Sequence, residues 1–171
     1  MKRSVIKSLT LTATMMLSGA ALAQPATPPA SPPPPAQYGT PGVTLDQAEK
    51  AVAAAIAEAK KNGWFMAVTV VSNGGHLVQF SKMDNTQFAS IDIAQHKARV
   101  AATFRRPTKA FQDGVQANPP NLYLLTLDGM IAVEGGMPLM RDGKIIGAIG
   151  CSGGTGPQDS QTCKAGVDAL H

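Results

Sequence analysis

The chain has 171 residues, with 15 Lys and Arg against 11 Asp and Glu, two Cys and 44% hydrophobic residues. That balance suits one folded domain and excludes a chain that is mostly disordered tail. The isoelectric point of about 9.2 owes much to Lys2, Arg3 and Lys7; beyond residue 23, twelve bases face eleven acids with no basic run, which argues against a nucleic-acid partner.

Residues 1–23 join that basic start to an apolar centre, Leu9 to Leu17, and to the small-residue end Ala21-Leu22-Ala23, the pattern of a secretory signal peptide cleaved after Ala23. A periplasmic or secreted protein is expected. The apolar centre falls short of the roughly 20 residues that span a bilayer, and no later segment comes closer, so no membrane span is expected in the processed chain. Residues 24–42 hold eight of the thirteen prolines and no charge, which predicts an extended, disordered spacer of polyproline-II type. The folded domain is then 43–171.

Thr44 with Gln47 forms a capping box ahead of the apolar repeat Leu45, Ala48, Val52, Ala55, Ile56, Ala59, a helix ended by Asn62-Gly63. Phe65 to Ser72 and His76 to Lys82 read as two strands joined by Asn73-Gly74-Gly75, a hairpin. Phe88, Ile91, Ala94, Ala98 and Ala101 line one face of a second helix, and Pro107-Thr108 opens a shorter one that stops before Pro119-Pro120. Short apolar runs follow at Met130 to Val133 and Met137 to Met140. Asp142-Gly143 then turns the chain into Ile145 to Cys151, and Pro157 and Asp159 open a last helix. Strands joined by tight turns make the sheet antiparallel, so the class is α+β, read as two layers with helices packed on one sheet.

No Cys-x-x-Cys, His-Glu-x-x-His or Gly-x-Ser-x-Gly pattern occurs, which leaves thiol-redox, zinc-protease and serine-hydrolase chemistry without a basis. The glycine-rich run Gly147 to Gly156 ends in a loop before a helix, where free N–H groups can hold an anion or carboxylate. It lacks the Lys of a phosphate-binding loop, and close packing of strand, loop and helix is the other reading of the same glycines. Cys151 and Cys163, the only cysteines of a chain expected in an oxidising compartment, are expected to form a disulfide.

Several motifs occur in a fixed order: Gly74-Gly75-His76-Leu77-Val78, Lys82-Met83-Asp84, Ile91 to Ala98 (IDIAQHKA), Phe104-Arg105-Arg106-Pro107-Thr108, Glu134-Gly135-Gly136-Met137-Pro138-Leu139, Asp142-Gly143 through Gly147-Ala148-Ile149-Gly150, and Ser152-Gly153-Gly154-Thr155 with Gln158-Asp159. Together they resemble the GlcG/HbpS-like (DUF336) family of haem-binding, and in some members haem-degrading, proteins, over Val43 to Leu170. The resemblance implies a profilin-like fold, homo-oligomers and haem as cofactor. Where the family reads Lys-Ala-x-Thr-Ala, this chain has Lys97-Ala98-Arg99-Val100-Ala101.

On that resemblance His76, at a rigid turn beside an apolar strand, is expected to ligate haem iron, since an axial ligand must be a donor of this kind aimed into a pocket. His96 lies off the apolar helix face and reads as surface or interface. Lys97, Arg99, Arg105 and Arg106 form a basic cluster suited to propionates. Glu134 before Gly135-Gly136, and Gly153-Gly154, complete the candidate ligand contacts. Nothing in the chain supplies a dedicated catalytic group, so capture, protection and degradation of haem stay open. The alternatives are a module for a small carboxylate or corrinoid-like cofactor, and a purely structural oligomer. Assembly is expected through apolar sheet or helix faces, with the Ala-rich helix Leu45 to Ala59 as a closely packable surface.

Overall fold

The computed structural model describes residues 36–171; the expected signal peptide and most of the expected spacer lie outside them. In chain order the elements are α1 (Leu45–Lys61), β1 (Ala67–Ser72), β2 (Leu77–Lys82), α2 (Ala89–Thr103), α3 (Lys109–Gln116), a 3-10 turn (Leu122–Thr126), β3 (Gly136–Arg141), β4 (Lys144–Ser152) and α4 (Gly156–Asp168). The four strands form one antiparallel sheet in the order β2-β1-β4-β3. Both turn signals act as read, and the capping box at Thr44 is present, with the Gln47 backbone donating to Thr44 Oγ1 at 3.3 Å and Thr44 N donating to Gln47 Oε1 at 3.1 Å.

The α+β class holds, but the layering needs correction from two to three. Side chains alternate across a strand, and every residue of β4 after Lys144 is buried, so both of its faces are covered. Ile149 and Cys151 join Val68, Val70 and the alanines of α1 in one core cluster, whereas Ala148 joins Val71 and Ala98, Ala101 and Ala102 of α2 in another. Helices α1 and α4 therefore cover one face and α2 the other. Helix α2 lies so close to β4 that a methyl group at Gly150 would fall against the Ala94 carbonyl and the Ala98 amide.

Two smaller expectations also change. On α1, Ala48, Ala51, Ala55 and Ala59 are fully buried, packed so tightly on α4 that a methyl at Gly166 would come within 2.8 Å of the Ala51 carbonyl oxygen; that stripe is spent inside the fold, while Ala53 and Ala57 on the outer side of the helix stay exposed. The run Met130 to Val133 forms no strand.

The end of the proline-rich segment, assigned to the spacer as far as residue 42, packs on the domain from Gln37 onward. Ile145 N donates to Gln37 O at 2.8 Å, and Gly39 N to Ile145 O and Val43 N to Ile146 O, both at 2.7 Å. Asn73 Nδ2 holds Gly39 O at 3.1 Å and the Tyr38 hydroxyl donates to Ala102 O at 3.1 Å. These residues continue the sheet beside β4 where β1 has ended.

Candidate functional site

The expected site residues separate into two groups. The first is internal. Lys97 projects from the apolar side of α2 and is 1% exposed. Its Nζ lies 2.7 Å from Asp159 Oδ2 on α4 and donates to Cys151 O at 3.1 Å. Asp159 Oδ1 accepts from Gly154 N at 3.0 Å. Gly135, at φ +112°, threads between them: a Cβ there would come within 2.7 Å of Asp159 Cβ and 2.9 Å of Lys97 Nζ, so only glycine fits. Cys151 N donates to Gly135 O at 2.8 Å, and Gly136 is clamped by Thr108, whose Oγ1 accepts from Gly136 N at 2.9 Å while Thr108 N donates to Gly136 O at 3.0 Å.

Glu134 is also buried. Its Oε2 accepts from Ser160 Oγ at 3.3 Å and its backbone N donates to Gln112 Oε1 at 2.9 Å. Its carboxylate is close enough to the start of α4 that a Cβ at Gly156 would lie 2.7 Å from Oε1, where the helix dipole favours negative charge. Cys151 and Cys163 face each other across β4 and α4 with Cα atoms 5.7 Å apart, inside the span a disulfide requires.

This arrangement decides what the glycine loops do. The anion site they offer is filled by the protein's own Asp159, which takes both the Gly154 amide and the Lys97 ammonium. Burial pushes the Asp159 carboxyl above its ordinary value, against the opposing pull of Lys97 and of the Gly154 and Gly153 amides. Lys97 therefore does not belong to an exposed basic cluster: its charge is sealed in the core by a carboxylate. Asp159, Thr108, Gln112 and Ser160 were absent from the expected ligand set.

The second group is exposed. Gly75, at φ +82°, lets the β1–β2 turn settle on α2, where a Cβ would lie 3.0 Å from Arg99 Cγ and 3.2 Å from Thr103 Cγ2. His76 follows with an open ring, its backbone N donating to Ser72 Oγ at 3.2 Å. His96 is exposed one turn before Arg99 on the same side of α2, and the turn that carries His76 rests on that helix at Arg99 and Thr103. Arg99 forms no ion pair among the described residues. Arg105 and Arg106 lie beyond the end of α2 and line a cleft, described below, whose lining includes none of His76, His96 and Arg99. Among the described residues no three His, Cys, Asp or Glu side chains are grouped to hold a bare metal ion.

An antiparallel sheet with helices on both faces thus carries internally locked glycine loops and, on its outside, an exposed imidazole and an exposed guanidinium. The chain belongs to the HbpS-like family, described as "Haem degrading protein HbpS-like", whose model matches residues 43–168. Protein GlcG of Escherichia coli K12 is 42% identical over 110 residues, 64% of this chain and 81% of GlcG. A double mutant of Streptomyces reticuli HbpS superposes with a TM-score of 0.71 at 28% identity, covering 86% of this chain and 99% of that one. The haem complex of PduOC superposes at 0.69 and 25% identity, covering 75% of this chain and 94% of that one.

Proposed function

We propose that the protein is an exported haem-binding protein that acts as a homo-oligomer, with His76 as the iron ligand and Arg99 as a propionate partner. The observation that supports the reading is that the turn just before His76 rests on Arg99, 23 positions later in sequence, with Gly75 against the Arg99 side chain and both His76 and Arg99 exposed, in a chain similar to a protein crystallised with haem. Haem supplies redox-active iron when bound; the chain itself supplies an imidazole donor at a turn and a guanidinium for a carboxylate. Binding of a small carboxylate in the glycine loops is disfavoured, because Asp159 already occupies that position. Export rests on residues 1–23.

His76→Ala is expected to weaken haem binding at least tenfold, about 1.4 kcal/mol, read by spectrophotometric titration. An unchanged spectrum and affinity would falsify the assignment of His76.

Assembly follows from the same site. An exposed imidazole on a convex turn covers one side of a porphyrin, so a second copy must wall the other. Apolar side chains for such contacts stand out on the 3-10 turn and beside it: Leu122, Tyr123 and Leu125 are 58%, 64% and 57% exposed, and Val133 is 44% exposed, an apolar surface larger than isolated exposed residues explain. Tyr123→Asp with Leu125→Asp is expected to shift the protein to monomer in light scattering and to lower its haem affinity. Wild type that stays monomeric over a wide concentration range rules the assembly out.

A further inference from the structure

The exposed edge of the sheet, β3, borders a cleft of about 520 Å³, within the range of small-ligand sites. Its walls are apolar: Met137 and Met140 from β3, Ile145 from β4 and Val167 from α4. Its rim is cationic, with Arg105 and Arg106 from the α2–α3 turn and Lys164 from α4. Lys164 is already neutralised by Asp168, whose two carboxylate oxygens lie 2.6 and 2.7 Å from its Nζ. The arginines are not: among the described residues neither forms an ion pair, and their guanidinium groups rest 5.8 Å from the Tyr38 ring centroid and 5.6 Å from that of Phe111. Arg105 holds φ +58°, a left-handed conformation that a non-glycine residue rarely adopts.

We propose that this cleft is a ligand site, separate from the His76 surface, for an apolar body that carries a carboxylate, with the body against Met137, Met140, Ile145 and Val167 and the carboxylate on Arg105 and Arg106. Two features favour a small molecule over an added peptide strand. Pro138 sits in β3 and removes the backbone donor that strand addition needs. The polarity is also one-ended: apart from the mutually neutralised Lys164 and Asp168 on α4, the cleft is apolar along the sheet and cationic at the α2–α3 turn, which matches an amphipathic carboxylate and not an extended chain. Planar guanidinium groups suit a carboxylate better than a point charge does.

Two sources share this chemistry, a metal-free porphyrin dicarboxylate and a long-chain fatty acid, and neither contains iron, so the test is independent of haem ligation. Protoporphyrin IX without metal and dodecanoate are titrated separately into the full chain, into Arg105→Glu/Arg106→Glu, into Met140→Trp, which fills the cleft, and into His76→Ala, with circular dichroism to verify folding. Saturable binding of at least one ligand is expected, lost tenfold or more in the folded charge-reversal and Met140→Trp variants and retained in His76→Ala; whichever ligand binds identifies the source. No saturable binding of either ligand overturns the proposal. So does binding that survives both cleft variants, or binding abolished by His76→Ala alone, which places the ligand on the other surface.

Discussion

Lys97→Met is expected to destabilise the fold by about 3–5 kcal/mol at neutral pH, the scale for breaking a buried ion pair by removing one partner. The Lys97–Asp159 pair is buried on both sides, with side chains 1% and 4% exposed, and without the ammonium group the desolvation of the Asp159 carboxylate would be opposed by the Gly153 and Gly154 amides alone. Burial already holds that carboxyl above its usual value; in the variant the displacement grows. A carboxyl whose folded-state pKa exceeds its unfolded value, about 3.9, favours the fold most at low pH and loses that contribution as pH rises through the folded value. The deficit of Lys97→Met should therefore shrink on acidification as Asp159 takes up a proton. Replacing both members, Lys97→Met with Asp159→Leu, is expected to cost less than the single change, since no bare charge remains. Urea unfolding at several pH values reads all three. A single variant within 1 kcal/mol of wild type, with no pH dependence, contradicts the role given to the pair.

The second large effect is expected from the Cys151–Cys163 bond. Closing a loop with a sequence separation of 12 is worth roughly 3 kcal/mol in the chain-entropy model. Protein from an oxidising compartment, denatured without reductant, should titrate with no free thiol, and reduction should lower its unfolding free energy by about that amount. Two free thiols per chain would sink the assignment. The bond and the ion pair act on the same parts: Cys151 leads into Gly153 and Gly154, Cys163 lies one turn along α4 from Asp159, and both approach Gly135. Reduction is therefore expected to loosen the glycine loops before the rest of the sheet.

Much of this architecture was legible because its causes are local. The capping box at Thr44, the Asn73-Gly74-Gly75 and Asp142-Gly143 turns and the helical period of α2 each depend on residues a few positions apart. The layering was not, because a strand apolar on both faces, such as Ile145 to Cys151, does not say what covers it. Lys97 carried a signal that the reading passed over. It shares the α2 face of Ala94, Ala98 and Ala101, and a lysine among alanines at that spacing calls for a buried carboxylate. Asp159 stands out in the sequence for its place near a helix start and in the motif Gln158-Asp159, neither of which points to a buried cation. Its partner is 62 residues away, and no periodicity connects them. Residues 37–42 were assigned to the spacer by their prolines and lack of charge, yet they pair with β4 through backbone groups that composition does not report. The exposed Leu122–Thr126 turn was missed because its apolar run belongs to neither helical nor strand periodicity.

Haem binding at the His76 surface is the central claim, and a Soret titration of residues 24–171, purified from an oxidising compartment, tests it most directly. The account predicts a saturable band shift at micromolar haem. Absence of any saturable shift across that range contradicts it.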